Sequence, residues 1–143
     1  MIKQDLKPLI TLFKAHQSMV EFIKKDIKDT PFDLNEFSVF EVIYHYKHIK
    51  VQDIKEKVLV ANSSLTYILD KLVKKGLIQR IKCHQDQRVT YIGLTNEGIK
   101  LSDTLFVGHY ERMEKLLSIL THEEQKELSY LLKKLGTYTK EQL

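Results

Sequence analysis

The sequence predicts a mainly α-helical fold carrying one small β-hairpin, and three observations support this. Apolar residues recur at three- and four-residue spacing over most of the 143 residues. Glycine and proline are scarce, five and two respectively, so the helices must be joined by short connections. Only "LIQRIKC" and "VTYIGLT" break the helical period; both are short and rich in β-branched and aromatic residues, and polar "HQDQR" separates them, as in a hairpin.

A chain of this length suits one domain with a core large enough to need neither disulfide nor structural metal. The lone Cys83 excludes an intramolecular disulfide. Charges interrupt the N-terminal "MIKQDLKPLITLFKAH", and no run approaches the ~18 apolar residues of a membrane span. A cytoplasmic location without membrane association is therefore expected.

Leu6, Leu9, Ile10, Phe13, Val20, Ile23 and Ile27 mark a first amphipathic helix, which must end before Thr30-Pro31 because proline disfavours helix at the preceding residue. Asp33 and Glu36 have capping-box spacing and start a second helix, whose apolar face comprises Phe37, Phe40, Val42, Ile43 and Tyr44. After a short polar link, "VQDIKEKV" makes about two turns with Val51, Ile54 and Val58 inward. The next helix starts at Asn62 and Ser63, both good N-cap residues. It buries Leu65, Ile68, Leu69, Leu72 and Val73, and it ends at Gly76, which fits the left-handed C′ position.

Two helices of this length joined by a tight turn suit helix-turn-helix geometry. With the hairpin behind them, residues 31–95 read as a winged helix-turn-helix, the hairpin tip forming the wing. Two long helices follow, "NEGIKLSDTLFVGHYERMEKLLSIL" and a last one begun by Thr121 with Glu124 three residues on, its apolar side formed by Leu128, Leu131, Leu132 and Leu135. The terminal segments, 1–30 and 96–143, hold more apolar surface than a winged helix can cover. They are expected to form a helical dimerisation region intertwined with that of a two-fold mate.

The net charge of +4 is unevenly spread. From Lys47 to Tyr91 there are ten basic residues against four acids, whereas the remainder holds thirteen against fifteen. A basic middle third points to an anionic partner. The outer face of the 62–75 helix offers Ser63, Ser64, Thr66, Tyr67, Lys71 and Lys74, with Asn62 at its start. Short hydroxyls can approach DNA closely, and the tyrosine and lysines can reach phosphates or base edges. At the hairpin tip Arg88 is placed to leave the protein body for a minor groove, with Asp86 orienting it by a bidentate pair and also able to begin a type I turn. Arg80 would touch phosphate or brace the same pair.

The element order and the stretches "FDLNEFSVFEVI", "SSLTYILDKLVKKGLIQR" and "DQRVTYIGLTNEG" resemble the MarR family of bacterial transcriptional regulators over essentially the whole chain. The family's wing motif, Asp-x-Arg, then a strand ending Leu-Thr and a helix opening with Gly, falls on Asp86, Arg88, Leu94, Thr95 and Gly98. This resemblance implies a homodimer on a pseudo-palindromic double-stranded operator, with recognition helices in major grooves and wings in minor grooves. It further implies a repressor released by a small effector. The run "LTYILDKLVKKG" with the following Arg, Cys and Asp-x-Arg is similar to the quinone- and phenolic-responsive, MhqR-like branch, which points to an aromatic or phenolic ligand.

Two residues stand as sensing candidates. Cys83, near Lys82 and Arg80, would become an oxidant sensor if those cations lowered its pKa, though a cysteine in a wing strand is more often a small packing residue. His16 would line a cleft between dimerisation and DNA-binding regions. His45 and His48 have a spacing that could serve one metal, but the six histidines are otherwise scattered, and neither metal nor cofactor is expected. No phosphate loop, nucleophile elbow or zinc-protease pattern is present, so an enzyme is not expected. Redox or metal sensing on the same fold is the first competing reading, and a winged-helix protein-interaction module without DNA is the second.

Overall fold

The computed structural model describes residues 6–58 and 62–143, with side chains in the second stretch from Ser64 onward. The elements run α1 (Lys7–Asp26), α2 (Leu34–Tyr46), β1 (His48–Lys50), α3 (Val51–Lys57), α4 (Asn62–Lys74), β2 (Ile78–Lys82), β3 (Thr90–Leu94), α5 (Asn96–Leu117) and α6 (His122–Glu141). They fall into two compact units, Met1–Asp103 and Thr104–Leu143.

In the first unit, α1 opens with a proline in its first turn, where the missing N–H costs nothing, and ends a little earlier than the Thr30-Pro31 boundary. A turn follows in which the Thr30 hydroxyl donates to the carbonyl of Ile27 at 2.6 Å. Asp33 then caps α2 as its spacing requires: its carboxylate accepts from the Glu36 amide at 2.8 Å, and Glu36 Oε1 accepts from the Asp33 amide at 3.2 Å. Phe37, Val39, Phe40 and Ile43 of α2 are buried against Ile54 of α3 and the Leu65, Ile68, Leu69 and Leu72 stripe of α4. Val51 and Val73, expected inside, are only half-buried.

The helix α4 ends in a Schellman arrangement. Gly76 (φ 75°) donates to the Val73 carbonyl at 2.9 Å, and Leu77 donates to Leu72 at 3.1 Å. Next comes the hairpin, β2 and β3 being antiparallel with Arg80 opposite Ile92. The link before α3 is not merely the polar connection its sequence suggests, because His48–Lys50 forms β1 on the free edge of β3, and the sheet is three-stranded in the order β1-β3-β2. Lys47, at φ 62°, turns the chain from α2 into that strand.

Thr95 joins the wing root to the end of α4. Its hydroxyl donates to the Gly76 carbonyl at 2.5 Å and accepts from the Gly98 amide at 3.1 Å, so the same residue caps α5. In the second unit, Thr121 and Glu124 form the capping box that starts α6. No residue of α1 or α6 is buried within the chain. Among the described residues, no helix is long and apolar enough to cross a membrane.

Candidate nucleic-acid interface

The apolar stripe of α4 fixes which side faces out. Thr66 and Tyr67 are exposed, Tyr67 at 64%, and Ser64 is half-buried. Lys74 is exposed about two turns further along. Asn62 and Ser63 lie in the first turn, since α4 begins at Asn62. Their side chains, and with them the expected capping role, lie outside the described residues.

Across from this face is the wing tip. The Asp86 carbonyl accepts from the Val89 amide at 3.0 Å, closing the turn. Asp86 Oδ1 accepts from the backbone amide of Arg88 at 3.0 Å and from its Nε at 3.1 Å, and Oδ2 accepts from Nη2 at 3.3 Å. The guanidinium is thus gripped on one edge while its side chain stays 91% exposed. The Arg88 side chain, and then its backbone amide, hold the Asp86 carboxyl below its ordinary value. The expected turn and the expected pair therefore coexist in one residue.

A concave groove of about 590 Å³ lies between the start of α3, the face of α4 and the wing. Lys50, Gln52, Thr66, Arg80, Arg88 and Thr90 are on its wall, where the three cations outnumber the one acid, Asp53. Lys50, Gln52 and Thr90 escaped the sequence reading. The available signal was the position of Lys50 within the basic third, directly ahead of a helix.

Two of the expected contacts have other partners. Arg80 does not brace the Asp86–Arg88 pair; its Nη2 lies 2.5 Å from Asp70 Oδ1, because α4 and β2 run side by side there. Lys71 turns inward, its Nζ 3.2 Å from Glu36 Oε1 and 3.8 Å from Asp33 Oδ2. Lys75 Nζ takes the other Glu36 oxygen at 2.6 Å and also donates to the Pro31 carbonyl at 2.6 Å. Glu36 itself is buried. Burial pushes its carboxyl up, but hydrogen bonds from Lys75, the Asp33 amide and Lys71 together outweigh that and hold it below its ordinary value.

Of the sensing candidates, Cys83 is half-buried just past β2, its amide donating to the Val89 carbonyl at 3.0 Å, so the residue belongs to the hairpin frame. His16 is exposed on α1. His48 stacks flat on Tyr91 at 4.4 Å and His45 sits edge-on to Tyr46 at 4.9 Å, so the two histidines engage different aromatic rings. Among the described residues no group of three or more His, Cys, Asp or Glu side chains could hold a metal ion.

A three-stranded sheet whose β2–β3 hairpin forms a wing beside α4, a helix with an exposed hydroxyl and aromatic face, defines a winged-helix protein. Comparison with known proteins sharpens this. The model of the MarR family matches residues 32–90. The HTH-type transcriptional regulator MhqR of Bacillus subtilis is 33% identical over 141 residues, covering 99% of this chain and 97% of that protein. Among solved structures, a cysteine-to-serine mutant of Escherichia coli MarR complexed with operator DNA superposes with a TM-score of 0.76 at 26% identity, covering 92% of this chain and 95% of its own. NadR in complex with 4-hydroxyphenylacetate shares the fold with a TM-score of 0.78 at 24% identity, over 94% and 96% of the two chains. The chain belongs to the MarR family. It is a DNA-binding transcriptional regulator, and its relatives are regulators rather than enzymes.

Proposed function

We propose that the chain is a homodimeric, ligand-responsive repressor acting in the cytoplasm on a pseudo-palindromic operator, with residues 1–30 and 96–143 as the dimerisation region and residues 31–95 as the reader. The observation that carries this reading is the exposed Arg88, oriented by Asp86 beside the outward face of α4. An arginine so held suits the narrow, negative minor groove, while Asn62, Ser63, Ser64, Thr66, Tyr67 and Lys74 meet the major groove. Arg80 keeps one edge of its guanidinium for phosphate. The groove between α4 and the wing leaves room for the sugar-phosphate strand that connects the two DNA grooves.

Dimerisation is supported by the apolar faces that α1 and α6 leave uncovered. Phe13 is 63% exposed, and Leu128, Leu131, Leu132 and Leu135 are 40–50% exposed, too large a set for a soluble monomer to leave in water. Two-fold pairing would set the two recognition helices about one DNA turn apart, roughly 34 Å. A small aromatic or phenolic compound is the proposed effector. The complex of the fold neighbour NadR with 4-hydroxyphenylacetate supports that chemistry.

The test is selection of bound duplexes from a random pool, followed by titration at several salt concentrations. A recovered site that resists competitor DNA and weakens steeply with salt is expected. No enrichment from any pool would defeat the reading. Repeating the titration with 4-hydroxyphenylacetate and related phenols is expected to release the duplex.

A further inference from the structure

We infer that Glu36 is a positioning residue for DNA recognition, withholding Lys71 from the phosphates and using it to prop Tyr67 on the reading face of α4. The inference rests on the proposed docking of α4 in the major groove. Lys71 lies on the same helix as Thr66, Tyr67 and Lys74 and by sequence alone is a phosphate contact, yet its ammonium points at Glu36. Glu36 cannot follow it outward. Its side chain is 4% exposed, one oxygen closes the capping box of α2, and both oxygens together accept from two lysines.

Leaving that carboxylate for a phosphate would take one of two lysine partners from a buried charge, which favours the place Lys71 already holds. Glu36 accordingly raises Lys71 above its ordinary pKa. The anchored ammonium then sits 5.3 Å from the centroid of Tyr67, one turn earlier on α4, and the ring stands 64% exposed above it. A cation fixed beneath a tyrosine face holds that ring by cation–π attraction and narrows its rotamers before DNA arrives. Lys75 completes the link, tying the end of α4 to the Pro31 carbonyl ahead of α2.

Salt dependence separates a phosphate contact from a positioning role, because each neutralised phosphate contributes about 0.9 to the slope of log K against log salt. The slope is measured by fluorescence anisotropy on the selected duplex for the wild type, Lys71→Gln, Glu36→Gln and the double variant. Lys71→Gln is expected to leave the slope unchanged while lowering specific affinity about threefold to tenfold through Tyr67. Glu36→Gln is expected to steepen the slope by about 0.9 as Lys71 is released to a phosphate, with the double variant reverting. A slope that flattens by about 0.9 in Lys71→Gln with Glu36 intact overturns the inference, as does an unchanged slope in folded Glu36→Gln. Should Glu36→Gln fail to fold by circular dichroism, the Lys71→Gln slope decides alone. Absence of duplex binding by the wild type would defeat the DNA reading itself and is visible before any variant is compared.

Discussion

Gly98 lies directly against the Leu77 carbonyl, so closely that a Cβ at position 98 would overlap that oxygen. The carbonyl cannot swing away freely, because it accepts from the Thr95 amide at 3.1 Å. The glycine of the wing motif is therefore a packing requirement where the start of α5 meets the link between α4 and β2. Alanine is the better helix former by about 1 kcal/mol, yet Gly98→Ala should destabilise the protein by about 1–3 kcal/mol through the forced backbone shift. A urea midpoint equal to or above that of the wild type would contradict this.

Arg88→Ala should weaken operator binding by about 1–3 kcal/mol, the scale of one lost specific contact. Arg88→Lys should recover little of the loss. An ammonium cannot reproduce the paired Nε and Nη2 contacts that Asp86 now uses to aim the side chain. Titration of the selected duplex at fixed salt measures both. Equal affinity for the wild type and Arg88→Ala would remove Arg88 from recognition.

Local signals made most of this fold legible in the sequence. Both capping boxes, the left-handed Gly76 and the two hairpin strands depend on residues within a few positions of each other, where spacing alone decides the geometry. The missed strand β1 has three residues, too few to show a period, and it exists only because β3 presents a free edge to it. The partners of Lys71 and Arg80 were not legible for the same physical reason. Lys71 meets Glu36 across 35 positions, and Arg80 meets Asp70 across ten and between elements, so only the assembled core selects those rotamers. Asp86 and Arg88 were readable because two residues in one turn can hardly avoid each other.

Glu36 predicts an acid sensitivity whose sign follows from its depressed carboxyl. A group held below its unfolded value of 4.5 contributes stability that is fully present above that pH and is lost as pH falls through the lower folded value. Glu36→Gln mimics the protonated side chain, so it should be clearly less stable than the wild type at pH 7. The gap should close as the pH is lowered below 4.5. Urea midpoints of both proteins across that range give the comparison. A gap that stays constant would show that the charge on Glu36 contributes nothing to the fold.

The apolar face of α6 predicts how assembly and DNA binding are coupled. Leu135 is 49% exposed within the chain, so Leu135→Glu should cost little to the folding of one protomer. In a dimer that buries this face, the same carboxylate would lose its water without gaining a partner, and association should fail. Thr137 is also exposed but, at about 100° per residue, points away from the Leu128–Leu135 side, which makes Thr137→Glu the matched control for added charge. Sedimentation at micromolar concentration should show a dimer for the wild type and Thr137→Glu and a monomer for Leu135→Glu. The monomer should also bind the full palindrome no more tightly than a half-site, because a single recognition helix then remains. A Leu135→Glu protein that sediments as a dimer would move the interface elsewhere on the chain.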